Sequence, residues 1–139
     1  MRQRFVVGAA AWLEMIVGAL FLTVPDVPCL LLFGAQPEAI GMPLGRFLGI
    51  ALVALGFVCL PSRDTGSPRN VVRGLFAFNA GVAILFACVA VASALHGLLL
   101  WPVVILHTII AGALLPYAGI EGAPTMRAGI SRLANIRRE

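Results

Sequence analysis

Four long apolar runs organise the chain, separated by breaks rich in Pro, Gly and charge. A helix needs about 20 apolar residues to cross about 30 Å of hydrocarbon. The runs at residues 5–24, 44–60, 71–95 and 98–117 meet that length or come close to it. The first stops at Pro25, and the second sits between Pro43 and Pro61. The third and fourth are divided at His96-Gly97. Pro43 suits a helix start, because its missing N–H would be unpaired there anyway. Pro102 falls in the first turns of the fourth run, and Pro116 weakens its last turn. The pattern predicts an all-α fold: a single four-span membrane domain built as an antiparallel four-helix transmembrane bundle.

Two further segments lie outside the spans. Residues 25–43 contain the apolar run Cys29-Leu30-Leu31-Leu32-Phe33, too short to cross. It is expected at the interface or folded over the bundle mouth, as a hydrophobic plug rather than a binding lid. Residues 122–139 place Met126, Ile130 and Leu133 at helical spacing among Arg127, Arg132, Arg137 and Arg138. That reads as an interfacial helix drawn to anionic lipid. The first run is expected to be a retained span rather than a cleaved signal peptide, because it is too long, carries Glu14 and leads to no small-residue cleavage site. Pro28 before Cys29 argues against a lipoprotein site. No internal repeat stands out beyond general helix likeness.

Composition sharpens the picture. The 139 residues are 60% hydrophobic and only 12% charged; the mean hydropathy is +1.00. A water-soluble domain carries about 25% charge, so a soluble globule is excluded, as is a disordered chain. All ten basic residues are Arg, which excludes a P-loop lysine and lysine Schiff-base chemistry. Nine of them, Arg2, Arg4, Arg63, Arg69, Arg73, Arg127, Arg132, Arg137 and Arg138, fall on one side of the four spans, and only Arg46 on the other. The positive-inside rule then puts both termini in the cytoplasm. The net charge of +4 is a topology signal; dispersed arginines without interleaved aromatics argue against a nucleic-acid partner.

Helices in lipid associate through close packing and interhelical hydrogen bonds. Small residues therefore mark expected contact faces: Gly45, Gly49 and Gly56 on the second span; Ala80, Ala83, Ala87, Ala90 and Ala94 on the third; Thr108, Gly112 and Gly119 on the fourth. The Gly45-x-x-x-Gly49 pair is expected to pack helices within one chain.

Polar residues inside the spans are costly and are therefore candidate sites. Glu14, Asn79 and His107 fall at similar depth near the midplane, about 12–16 Å from the arginine-rich face at 1.5 Å per residue. An unpaired ionised carboxylate there costs about 2.5–3.5 kcal/mol or more, so Glu14 is expected neutral or paired. First and last helices lie side by side in an up-down bundle, which makes a Glu14–His107 hydrogen bond, direct or through one water, the expected pairing, with Asn79 nearby. Two roles compete: a buried functional site, and an interhelical clasp worth about 0.6 kcal/mol per bond. The clasp is preferred. Arg46, with Trp101 and His96 at similar depth, forms a second candidate at the opposite mouth, for an anion, a headgroup or a quinone head. Snorkelling of Arg46 to the headgroups is the simpler reading. Trp12 reads as packing, and Trp101 and Tyr117 as interfacial belt residues.

No metal site is expected. His96 and His107 stand about 16 Å apart along a helix axis, too far to share one haem iron. Cys29, Cys59 and Cys88 form no C-x-x-C; a Cys29–Cys88 bridge is an option, but Cys88 on an apolar helix suits a packing role. No zinc-protease, serine-hydrolase or nucleotide motif is present.

The run Gly45-Arg46-Phe47-Leu48-Gly49-Ile50-Ala51-Leu52-Val53-Ala54-Leu55-Gly56, with Phe78-Asn79 and Trp101-Pro102 followed by His107, resembles small four-helix bacterial membrane proteins of the DoxX-like type. The resemblance implies an association with quinone-linked redox proteins. The expected function is a small non-catalytic inner-membrane subunit or accessory factor of a larger membrane complex, with a membrane-protein partner or a second copy, the bilayer as its surroundings and no resident cofactor. The alternatives are a quinone-linked redox subunit and a proton or small-solute transporter.

Overall fold

The computed structural model describes residues 2–60 and 68–119. Among them are five helices: α1 (Arg2–Thr23), α2 (Asp26–Phe33), α3 (Gly41–Cys59), α4 (Arg69–Ala92) and α5 (Leu100–Ala118). All but α2 are long and apolar enough to cross a membrane. The expected interfacial tail and most of the loop before α4 lie outside the described residues.

The helix ends follow local chemistry. α3 starts at Gly41, before the expected boundary, and carries Pro43 in its first turn, where no backbone donor is needed. α4 stops at Ala92, earlier than expected. The Ser93 hydroxyl donates to the Val89 carbonyl at 2.7 Å and accepts from the Leu95 N–H at 3.2 Å, so the side chain replaces the next helical turn. α5 continues through Pro116 to Ala118, and Gly119 turns into the left-handed region at φ 59°, a conformation that glycine takes without a Cβ penalty.

The short apolar run between the first two long helices folds as α2. Gly34 ends it with φ 70°, its N–H bonding to the Leu30 carbonyl. The last turn of α2 then binds the connection before α5: Gly97 N–H donates to Leu32 O at 3.1 Å and Leu99 N–H to Leu31 O at 2.8 Å. The backbones approach so closely that a Cβ on Gly34 would lie 2.6 Å from the His96 carbonyl oxygen, and one on Gly97 would collide with Leu31 and Leu32. Leu32 is buried with Phe21 and Leu52, so α2 closes the end of the bundle as a hydrophobic plug.

The long helices pack as two antiparallel pairs, α1 with α3 and α4 with α5, and the pairs meet along looser seams. The α1–α3 pair is a backbone-to-backbone contact. A Cβ on Gly49 would sit 2.6 Å from Gly18 O, and one on Gly56 would sit 2.5 Å from Ala11 O. The glycine stripe on α3 thus packs within the chain. On α5 the small residues do not mark the contact face. Thr108 and Gly112 are exposed, with open space around Gly112; the buried face is Leu100, His107, Ala111, Leu114 and Ala118. One residue further round a helix is a turn of about 100°, enough to move a stripe from the seam to the outside. Trp12, expected to pack, is 57% exposed on the outer surface.

The two pairs also carry the same burial pattern, a repeat that the sequence did not reveal. Val7, Ala10, Glu14 and Gly18 are buried on α1; Val72, Leu75, Asn79 and Ala83 are buried on α4 at identical spacing. Gly45, Leu52, Gly56 and Cys59 on α3 match Leu100, His107, Ala111 and Leu114 on α5. The first pair differs by the insertion of α2 in its connection.

Candidate polar site in the bundle core

Asn79, on α4, is fully buried, and His107, on α5, is 9% exposed. Asn79 Nδ2 donates to the Leu75 carbonyl at 2.8 Å. A carbonyl can only accept, so this bond fixes the amide orientation and leaves Asn79 Oδ1 as the acceptor facing His107 Nδ1 at 2.8 Å. His107 Nδ1 therefore carries the proton, and Nε2 is left as the second position of the ring. The edge of Phe78 meets the imidazole, with centroids 6.3 Å apart. The close pairing of α4 with α5 brings the two short polar side chains into reach.

Glu14, on α1, is 2% exposed. Its Oε1 has no hydrogen-bond partner among the described residues. The expected direct Glu14–His107 bond is not the one formed: His107 Nδ1 is taken by Asn79. The repeat supplies the reason. Glu14 holds the position on α1 that Asn79 holds on α4, but the α3 position that matches His107 is Leu52. The second pair has a donor facing its polar residue, and the first has an isobutyl group. The result is three buried polar residues, two joined and one whose Oε1 has no hydrogen-bond partner among the described residues.

The second candidate is not drawn together. Arg46 and His96 are exposed, and Trp101 is half exposed at the start of α5. Among the described residues no hydrogen bond, ion pair or ring contact joins them; His96 contributes its backbone carbonyl to the packing at Gly34.

Sequence reasoning missed a different arginine. Arg73 Nε donates to the Ala118 carbonyl at 2.7 Å, and Nη2 to the Gly119 carbonyl at 3.3 Å. A cation near the start of α4 thus caps the negative end of α5, an arrangement favoured by the helix dipole. An arginine in the opening turns of one helix and a glycine just past the end of its antiparallel neighbour were the available signal.

All three cysteines are free: Cys29 half-buried, Cys59 buried and Cys88 exposed. Burial, then the neighbouring Asp26 carboxylate, pushes the Cys29 thiol above its usual pKa, so it reacts slowly as a nucleophile. Among the described residues no three His, Cys, Asp or Glu side chains gather as a metal set. Comparison of the chain with family models, curated proteins and solved structures gives no match.

Proposed function

We propose that this chain is a small non-catalytic subunit or accessory factor of a larger membrane complex, held in a bacterial inner membrane with both termini in the cytoplasm. The observation that carries the reading is an unfilled small-residue face on the outside of α4. Gly74, Ala77 and Gly81 are exposed along one side of that helix, Gly74 also lining the groove shared with α3, and exposed Ile84 separates them from Cys88 further along; among the described residues no heavy atom lies within 4 Å of a Cβ placed on Gly74 or Gly81. In lipid, small residues let a second helix approach closely. The glycines of α3 are filled by α1 within the chain, whereas those of α4 are open to a neighbour. Arginine asymmetry supports the orientation, and the DoxX-like resemblance supports the bacterial membrane.

The test is purification at native expression level with mass spectrometry of what accompanies the chain. The expected result is a stoichiometric membrane partner or second copy, lost in Gly81→Leu. A wild-type chain that purifies alone, or a partner retained unchanged in Gly81→Leu, contradicts the reading.

The unpartnered Glu14 carboxyl favours a second reading, in which the polar layer handles protons or contacts a quinone head in a redox subunit. Co-purified quinone, or proton uptake in vesicles abolished by Glu14→Gln, would support that reading over the first.

A further inference from the structure

The repeat places two equivalent grooves at the same end of the bundle, one in each seam between the helix pairs. The first, between the start of α1 and the end of α5, encloses about 590 Å³ and is lined by Arg2, Phe5, Val6, Ala113, Pro116 and Tyr117. The second, between α3 and α4, encloses about 270 Å³. The two share three equivalent positions: Asn70 and Val71 stand where Phe5 and Val6 stand, and Val58 where Ala113 stands. Their chemistry differs. The first has an apolar floor with an arginine and a phenol at its mouth. The second is half the size, and among the described residues no arginine lines it.

We propose that the α1–α5 groove is a binding site for one anionic phospholipid, with the phosphodiester on the Arg2 guanidinium and an acyl chain along Phe5, Val6, Ala113 and Pro116. Charge complementarity selects this occupant. Among the described residues no acidic side chain lines the groove. The negative end of α5, which would otherwise compete for Arg2, is already capped by Arg73. Phe5 is 78% exposed, so the floor opens sideways to where lipid tails lie. The Tyr117 hydroxyl adds a donor at headgroup level, the ordinary depth for a tyrosine. The site does not depend on the proposed subunit role.

Native mass spectrometry of the purified full chain, with equal phosphatidylglycerol and phosphatidylcholine of matched acyl chains, tests the proposal. The wild type is expected to hold one phosphatidylglycerol in preference, on the order of fivefold, the ratio that about 1 kcal/mol per membrane-surface arginine corresponds to. Arg2→Gln lowers the ratio to near one while a lipid is still retained, and Ala113→Phe, which fills the groove, lowers retention of both lipids. Arg46→Gln, at the far end, leaves the preference unchanged. Equal binding by the wild type, or a preference that survives Arg2→Gln and so belongs to the C-terminal arginines, overturns the proposal. So does loss of the preference on adding inorganic phosphate with retention unaffected by Ala113→Phe, the signature of a free-anion site. Arg2 is exposed on the first turn of α1, so its variant remains informative even where Ala113→Phe fails to fold.

Discussion

Asn79 and His107 are held by one shared hydrogen bond and one backbone anchor, and this makes their contribution measurable. A double-mutant cycle with Asn79→Ala and His107→Ala, read by unfolding in mixed micelles, is expected to give a coupling of about 0.6–1.7 kcal/mol, the range for interhelical bonds in membranes. Zero coupling would mean that the bond does not form. Glu14 gives the opposite expectation. Glu14→Gln replaces an ionisable group with a neutral one of the same shape and breaks no hydrogen bond of Oε1 among the described residues, so stability should hold or rise in the same assay; a loss above about 1 kcal/mol would reveal an ionic partner, since bonds to charged groups contribute about 1.5–3 kcal/mol. That these three residues are polar and lie within the apolar runs was legible in the sequence. Which two would join was not, because the choice depends on Leu52 occupying the place in the first pair that His107 occupies in the second. At the thiols, the raised Cys29 pKa leaves less thiolate at neutral pH. Its maleimide labelling should therefore run slower than that of a free cysteine and keep accelerating as pH rises past the ordinary thiol pKa; labelling at the free-thiol rate would contradict the burial.

At the scale of helices, glycines separate by environment. Gly49→Leu and Gly56→Leu drive side chains into the α1 backbone and should cost at least the about 1–3 kcal/mol typical of overpacking. Gly112→Ala points into open space and should be neutral or stabilising by up to about 1 kcal/mol, the helix-propensity difference. Thermal melts in one detergent compare the three directly. If Gly112→Ala destabilises as much as Gly49→Leu, the rotation assigned to α5 is wrong. The four long helices were legible because 20-residue apolar runs have few other readings. The inward face of α5 was not, because Thr108 and Gly112 are as small as Ala111 and only tertiary contact tells them apart. α2 was legible as an apolar plug, but its clasp to the 93–99 connection rests on backbone hydrogen bonds, which leave little trace in residue identity beyond Gly34 and Gly97.

At the scale of the whole molecule, the long helices of the described residues form two pairs with a common burial pattern, tight within each pair and looser between them. Among the described residues the α3 glycine face is filled by α1, whereas the exposed glycines of α4 have no neighbour. Cys88, exposed on that helix, is a natural probe of this contrast. The most direct measurement is photo-cross-linking in native membranes, with a benzophenone maleimide attached to Cys88 in a Cys29→Ser background. One discrete protein adduct is expected, lost in Gly81→Leu and retained in Glu14→Gln. Labelling of lipid alone, or an adduct indifferent to Gly81→Leu, would contradict this.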